Sequence, residues 1–404
     1  MTNTKISEFS NLLRVASHYD KNACSTTLCL WVCSGSSSDT LEKNGIAHLL
    51  EHTLFGPYST NNRSDIYSGI RNKDVKLSAF TKLDNTCFII ETVNRKNLQA
   101  CIDVLSDIFS GRWLSEQGLN EAKLDIRKEI NLLSQDEDEI LFDSLNAICF
   151  PKQSYGQPIT GSHKTISKLQ MADLQDFLKQ EYIAANTLIC MTGNIEHEQL
   201  VDCVENRFSH FPAVLKRSLP GPKWKGGITN VHQEDDGTRI AISLAFNVKD
   251  MSDYYLFWLA SFVLAAETNT GLRSVLNLNT STPNNLCIYP EFLSYFGRMN
   301  FYLNMQSSNC LAEIDKIRNE LSSFTNAKIQ NILEQLKQTD IEHFLKIIQL
   351  KNNNIEHLAM CLSNYESLPS DVTFPCSQNK MKDSLMSILG TIYKPHLEAI
   401  SYSI

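Results

Sequence analysis

The sequence predicts an α+β protein of two related domains, and three observations lead to this fold class. The first half of the 404-residue chain alternates between strand-like and helix-like segments. A stretch rich in proline and glycine, residues 218–227, then interrupts the alternation. After this stretch the order of strands and helices begins again, which is the pattern of an internal duplication.

The elements of the first half follow from the spacing of apolar residues, which differs between strands and helices. Apolar runs predict strands over residues 26–34, 75–81, 86–93 and 186–192. Helical spacing predicts helices over residues 46–55, 98–109, 121–133, 169–182 and 198–208. A polar turn at residues 82–85 joins the second and third strands into a pair.

The second half has fewer clear elements, in a similar order. The same patterns predict strands over 239–247 and 299–305 and helices over 254–266 and 311–324. We therefore expect an N-terminal domain over residues 1–215, a linker over 216–228 and a C-terminal domain over 229–404. No second copy of the metal motif described next occurs in the C-terminal half.

The most informative motif is His48-Leu-Leu-Glu51-His52, which lies in the predicted helix 46–55. Residues four apart on a helix lie one above the other, so His48 and His52 can hold one metal ion. Glu51 lies near the same face and can reach a water molecule on that metal. Two imidazoles and a carboxylate on zinc, with a second carboxylate as base, are the parts of a peptide-hydrolysing site.

A second interpretation of the motif is a helix whose two histidines fall at this spacing by chance. The flanking residues are apolar on nearly every side of the helix, which indicates burial: Ile46, Ala47, Leu49, Leu50, Leu54 and Phe55. Buried histidine and glutamate side chains are unfavourable unless a partner satisfies them. Zinc satisfies all three side chains, so the sequence favours a metal site.

A catalytic zinc site needs three protein ligands and an open fourth position. The candidate for the third ligand is Glu129, in the predicted helix 121–133. Glu121, Asp125 and the acidic run 136–139 are close to it in sequence, so an ordinary surface carboxylate is the other interpretation. Periodicity alone leaves the two open.

Composition excludes some partners and favours a compartment. The formal net charge is −8 and no dense basic run occurs, so we expect no nucleic-acid partner and no membrane surface. No secretory signal or membrane-spanning apolar run is visible. The 12 cysteines are scattered without a Cys-x-x-Cys pair, as expected for reduced core thiols, so we predict a cytoplasmic protein.

With these residues, the chain resembles the inverted-zincin metallopeptidases, the family of pitrilysin, insulysin and mitochondrial processing peptidase. The resemblance rests on the His48–His52 motif, on Glu129 77 positions after His52, on Gly45 and on the segments 155–161 and 193–194. It extends over about residues 10–212 and is thinner beyond them. In length, the chain is similar to the shorter bacterial members.

The resemblance implies a fold and a set of site residues. Each domain would be an α/β sandwich, with a mainly antiparallel sheet covered by helices. His48, His52 and Glu129 would bind Zn²⁺, and Glu51 would be the general base. An extended substrate peptide would add to the edge strand at Ser78, Ala79 and Phe80, where Ser78 replaces the asparagine usual in the family.

The resemblance also implies an arginine and, seven residues later, a tyrosine in the second domain. Tyr289 matches the position of the tyrosine and would be catalytic, with an ordinary core or rim tyrosine as the other interpretation. Thr282 stands seven residues before it, in place of the arginine. Arg273 lies upstream at the wrong spacing, so either an altered loop re-aims it or this half of the site is incomplete. We expect a heterodimer with a sibling subunit that carries the Arg/Tyr pair, or else a homodimer.

Three functions are compatible with these residues. The sequence favours a zinc metalloendopeptidase, or the catalytic subunit of a heterodimeric peptidase, that acts on peptides or unstructured segments. A non-catalytic assembly or binding subunit of the same fold is the alternative, although such relatives typically lose their ligands. A structural zinc site is a third possibility, but such sites are closed by four protein ligands and would give Glu51 no role.

Overall fold

The computed structural model describes residues 4–59, 74–216, 220–231, 238–248, 251–266, 268, 272–278, 286–305, 310–323, 326–335, 354–365 and 398–403, with residues 342, 344, 346, 383, 385 and 388. The chain forms two compact units. Unit 1 comprises Met1–Leu132, Gln157–Pro220 and Lys351–Ser370, and unit 2 comprises Leu133–Gly156, Gly221–Leu350 and Asp371–Ile404. Over the ranges given above, no helix is both long and apolar enough for a bilayer crossing.

The elements are named here in chain order. The strands are β1 Thr4–Glu8, β2 Arg14–Tyr19, β3 Thr26–Val32, β4 Val75–Thr81, β5 Thr86–Thr92, β6 Thr187–Gly193, β7 Gly227–Val231, β8 Thr238–Phe246, β9 Leu286–Phe292, β10 Gly297–Met305 and β11 Glu398–Ser403. The helices are α1 Ile46–Ser59, α2 Leu98–Phe109, α3 Glu116–Leu133, α4 Glu137–Cys149, α5 His163–Lys168, α6 Met171–Glu181, α7 His197–Phe208, α8 Met251–Ala265, α9 Leu272–Val275, α10 Cys310–Ser322, α11 Asn326–Gln335 and α12 Ile355–Tyr365.

Unit 1 contains a six-stranded sheet in the order β1-β2-β6-β3-β5-β4. Only the pairing of β2 with β6 is parallel, and the other neighbours are antiparallel. The central strand β3 is buried on both faces: Leu28 and Leu30 pack in the larger core, and Cys29 and Trp31 pack in a second cluster with α12. This alternation follows from the two-residue period of a strand.

Unit 2 contains a five-stranded sheet in the order β7-β11-β8-β10-β9. Its one parallel pair joins β7 to β11. If the five strands of this sheet are numbered by their position in the chain, their order in the sheet is first, last, second, fourth, third. The last five strands of the unit 1 sheet, β2-β6-β3-β5-β4, have the same order. The shared topology agrees with an internal duplication, and it confirms the predicted fold class of two related, mainly antiparallel α/β domains.

Each unit includes a helix that lies outside its main stretch of chain. Helix α4 belongs to unit 2, where it contacts β7, β8 and β11, and α12 belongs to unit 1, where it contacts β3 and β6. One change of unit, between Pro220 and Gly221, falls in the predicted linker 216–228. The other changes of unit lie outside that linker, because α4 and α12 each pack on the sheet formed by the other half of the chain. The division into 1–215 and 229–404 stays a prediction.

The predicted elements agree with the structure within a few residues, and the omitted elements have identifiable causes. The acidic run 136–139 begins a helix: Asp136 accepts hydrogen bonds from the Asp138 and Glu139 amides as the N-cap of α4. The short strands β1 and β2 are rich in polar residues, and β2 joins the sheet through β6 from the far end of the unit. No local pattern indicates such a pairing.

Candidate metal centre

Helix α1 has a defined start because a buried carboxylate holds its first turn. Asp39 Oδ2 accepts a hydrogen bond from the Gly45 amide at 2.7 Å, and Oδ1 accepts one from the Ala47 amide at 3.2 Å. These amides have no partner within the helix. Burial raises the pKa of the Asp39 carboxyl well above its usual range, against the opposing effect of the amide donors. Sequence reasoning did not identify Asp39.

Two glycines allow a loop to touch the start of this helix. Gly45 has φ +91° and Gly161 has φ +73°. A Cβ on Gly45 would lie 2.9 Å from Gly161 Cα and 2.8 Å from the Thr160 carbonyl oxygen. Asn44 also donates a side-chain hydrogen bond to the Pro158 carbonyl at 3.0 Å. The contact gives a physical reason for Gly45 and for the segment 155–161 that carried the resemblance.

The two imidazoles of α1 converge through their Nε2 atoms. His48 Nε2 and His52 Nε2 are 3.1 Å apart, and the rings meet edge to face at a centroid distance of 4.5 Å. His48 is buried and His52 is half-buried. The predicted four-residue spacing therefore brings both donor atoms to one point.

The third member of the cluster comes from α3. Glu129 Oε2 lies 3.8 Å from His48 Nε2 and 3.6 Å from His52 Nε2. The Glu129 side chain is 38% exposed, so the cluster opens to solvent on its side. The structure thus brings the predicted residues His48, His52 and Glu129 together, and periodicity alone had not distinguished Glu129 from its acidic neighbours.

The donor set fits a zinc ion. Four ligand atoms at about 2.0–2.1 Å from zinc in a tetrahedron are separated from one another by roughly 3.3 Å. The three separations given above, 3.1, 3.6 and 3.8 Å, lie around that value. In the described part of the chain, this is the only cluster of three or more His, Cys, Asp or Glu side chains with ligand atoms within 4.8 Å of one another.

The protonation of the imidazoles also suits metal binding. Burial, together with the neighbouring His52, lowers the pKa of His48 to about 3. Burial lowers the pKa of His52 too, although Asp125 opposes the change. Both imidazoles are therefore neutral at neutral pH, which is the form that binds a metal.

Glu51 lies next to this cluster and has a perturbed carboxyl. Its Oε2 is 3.8 Å from His48 Nε2, and it accepts a hydrogen bond from Thr81 Oγ1 at 3.3 Å. Glu51 is 5% exposed, and burial raises its pKa to about 7 although the Thr81 hydrogen bond lowers it. A carboxyl group whose pKa lies near neutral pH can both take up and release a proton. Thr81 was not among the predicted site residues.

The predicted substrate strand is β4, which forms one edge of the sheet. Within the described residues β4 pairs only with β5. Ser78 is exposed, and Ala79 and Phe80 are half-buried. The Phe80 ring packs edge to face on Trp31 at 6.4 Å. The three predicted residues therefore lie on a strand with an available edge, and their role in binding stays a prediction.

Tyr289 lies in unit 2, on β9, opposite Asn300 of β10. Strand β9 is an edge strand whose place in its sheet matches that of β4. Burial raises the pKa of Tyr289 to about 12, with a further contribution from Glu291. The catalytic role of Tyr289 stays a prediction.

Arg273, the upstream candidate to replace the missing arginine, makes hydrogen bonds within unit 2, and its role in the site stays a prediction. Its Nε donates to the Ala265 carbonyl at 3.0 Å and its Nη2 donates to the Leu286 carbonyl at 3.1 Å. These bonds join the end of α8 to the start of β9, which is a structural role inside unit 2. Thr282, the residue at the expected spacing, lies outside the described residues.

Comparison with protein-family models covers both halves of the chain. A model described as "Insulinase (Peptidase family M16)" matches residues 14–163. A second, described as "Peptidase M16 inactive domain", matches residues 168–339. The first match includes the His48–His52 motif and Glu129, and the predicted family resemblance is confirmed.

The chain is similar to several curated proteins over about half of its length. Mitochondrial-processing peptidase subunit beta of Neurospora crassa is 30% identical over 210 residues, which are 52% of this chain and 44% of that protein. Subunit beta of Blastocladiella emersonii is 26% identical over 265 residues, 65% of this chain and 57% of that protein. The matched part of the chain thus spans about half the length of these relatives.

Solved structures match over nearly the whole chain. A protease from Helicobacter pylori has a TM-score of 0.78 at 16% identity and covers 100% of both chains. A chain of Complex III2 from Candida albicans also has a TM-score of 0.78 at 16% identity, covering 99% of this chain and 95% of that one. At these identities the likeness shows the fold alone.

Proposed function

Because the chain belongs to the insulinase family of peptidases, we propose that it is a zinc-dependent endopeptidase, or the catalytic subunit of a heterodimeric peptidase. Its substrates are peptides or unstructured segments. The observation that supports this proposal is the convergence of His48, His52 and Glu129, with Glu51 beside them. Zinc, when bound there, supplies a Lewis acid and acidifies a water molecule.

The residues of the chain then have distinct roles. His48 Nε2, His52 Nε2 and a Glu129 oxygen would hold the ion, and three protein ligands would leave a position for water. Glu51 Oε2 takes up the proton of the attacking water and passes it to the departing amine. Burial of Glu51 supports this role because it raises the carboxyl pKa to about 7.

The substrate binds in an extended conformation along β4. The backbone of Ser78, Ala79 and Phe80 offers an edge that pairs only with β5 in the described chain. Strand addition uses main-chain hydrogen bonds, so it selects an extended peptide more than a particular sequence.

The partner is a sibling subunit that supplies an Arg/Tyr pair, with a homodimer as the other arrangement. Thr282 at the position expected for the arginine supports this, as do the hydrogen bonds of Arg273 to backbone carbonyls in unit 2. The similar proteins include beta subunits of mitochondrial-processing peptidase, which are parts of a larger assembly by name. Tyr289 is catalytic in the homodimer only if it faces the substrate. The predicted cytoplasmic localisation is retained as a prediction.

The alternative is a non-catalytic assembly subunit of the same fold. The description of the second matched domain as inactive is compatible with it. Such a subunit would have no need of a complete His48, Glu51, His52 and Glu129 set. The presence of all four residues therefore favours the peptidase.

Zinc stoichiometry of the purified protein tests the metal site. We expect one zinc per chain after dialysis, and loss of zinc in Glu129→Gln. Glu121→Gln is the matched control, because Glu121 is exposed on the same helix two turns earlier. Equal zinc content in both variants would exclude Glu129 as a ligand.

Cleavage of an unstructured peptide library tests the reaction, with the protein alone and with a co-encoded sibling. We expect cleavage by the wild type and zinc-replete but inactive Glu51→Gln. Equal cleavage by the two proteins would exclude Glu51 as the base. Zinc binding without cleavage under either condition would favour the assembly subunit.

A further inference from the structure

Thr81 is the residue at which the proposed substrate strand and the proposed base meet. It is the last residue of β4, paired with Thr86 of β5. Its Oγ1 donates a hydrogen bond to Glu51 Oε2 at 3.3 Å. Among the described residues this is the only hydrogen bond made to the Glu51 carboxylate. One residue thus connects the sheet edge to helix α1.

The strand that carries Thr81 has a fixed position relative to the core. Leu77 and Ala79 pack against the large hydrophobic cluster of unit 1, and β4 pairs with β5 along all seven residues. Helix α1 is fixed independently, by Asp39 at its first turn. The Thr81 hydroxyl therefore joins two rigid elements, so it can hold the last side-chain torsion of Glu51, which is otherwise broad.

We propose that Thr81 is a positioning residue that sets Glu51 in register with the substrate peptide. This inference rests on the proposed peptidase function. The Thr81 backbone belongs to the edge that aligns the peptide, and its hydroxyl aligns the carboxylate that acts on that peptide. Thr81 would then set the distance between the substrate carbonyl and the Glu51 carboxylate. A displacement of about 1 Å in such an arrangement costs on the order of a hundredfold in rate.

The hydroxyl can be removed with little change of shape. Thr81→Val keeps the branched side chain that suits a strand, and Thr81→Ser keeps the hydroxyl. Thr192 offers a matched control: it is a half-buried threonine near the end of β6, two strands removed from β4 by β3 and β5. Thr192→Val makes the same chemical change away from the site.

The test compares kcat and KM for the wild type, Thr81→Val, Thr81→Ser, Thr192→Val and Glu51→Gln on one cleaved peptide. We expect kcat of Thr81→Val to fall about tenfold to a hundredfold, with KM within about twofold. Thr81→Ser should restore most of kcat, and Thr192→Val should match the wild type. Zinc content and Tm should be equal across the set. If Thr81→Val folds poorly, Thr81→Ala removes the same hydroxyl and replaces it in the comparison.

The outcomes separate this inference from the proposed function. Wild-type kcat in Thr81→Val and Thr81→Ala, beside an inactive Glu51→Gln, would overturn the role of Thr81 alone. A fall in Tm with unchanged kcat would assign Thr81 a purely structural role and overturn it as well. Equal cleavage by wild type and Glu51→Gln would overturn the base assignment and the positioning of that base together.

Discussion

The substitution Gly45→Ala tests how the start of α1 holds the metal site. Gly45 has φ +91°, a region that costs a residue with a side chain about 1–2 kcal/mol. The new methyl would also lie 2.8 Å from the Thr160 carbonyl oxygen and 2.9 Å from Gly161 Cα. Both neighbours are backbone, so the loop must move, and overpacking of this kind costs about 1–3 kcal/mol.

The two contributions give a loss of about 3 kcal/mol in the free energy of unfolding. For a cooperative unit of 150–250 residues this corresponds to a fall in Tm of roughly 6–12 °C. Because Gly45 directly precedes α1, the displaced helix start should also weaken zinc binding by His48 and His52. Urea unfolding and a competitive zinc titration measure the two effects.

Gly227→Ala is the control for Gly45→Ala. Gly227 has φ +132°, but a Cβ there would meet no atom within 4 Å. It therefore isolates the conformational cost, and Gly45→Ala should lose more stability than Gly227→Ala. Equal losses would show that the close approach to Gly161 does not exist in solution. Unchanged zinc affinity in Gly45→Ala would refute the link between this turn and the site.

Three further perturbations probe buried charges. Asp39→Asn keeps one acceptor for the two amide donors at the start of α1, so urea unfolding should show a loss of about 1–3 kcal/mol. Arg298→Met removes the guanidinium whose Nε donates to Glu291 at 2.6 Å, while the Asn300 amide still donates to that carboxylate at 3.2 Å, so the same assay should show a loss of about 1–3 kcal/mol. Burial and Glu139 raise the pKa of Asp143 to about 6. Ionisation of Asp143 therefore opposes folding, so Asp143→Asn should gain stability relative to the wild type as pH rises from 4 to 7.

Each of these expectations has a result that contradicts it. Wild-type stability of Asp39→Asn would mean that the amides of α1 find other acceptors. If Arg298→Met is more stable than the wild type, the loss of the Arg298 partner does not destabilise the Glu291 carboxylate. For Asp143→Asn, the difference from the wild type should be small at pH 4, where the native Asp143 carboxyl is protonated and uncharged. A pH-independent difference would exclude the raised pKa.

The sequence by itself determined the local half of the site. His48, Glu51 and His52 lie within five residues of one helix, and helical geometry alone sets their relative positions. The apolar flanks of the motif predicted its burial, and the chain shows His48 7% exposed. The strand pair β4–β5 could also be predicted from the sequence, because its two strands and the polar turn that joins them are adjacent in the chain.

Only the tertiary structure showed which residues from other elements contact the motif on α1. Glu121 and Glu129 lie on the same helix, α3, and the packing of that helix decides that Glu129 faces His48 and His52. No spacing in the sequence predicts this orientation. The contacts of Asp39 with α1 and of Thr81 with Glu51 likewise join residues that no helical or strand period relates. Short-range periodicity records which face of an element is apolar, whereas the neighbour of that face is selected by packing of the whole unit.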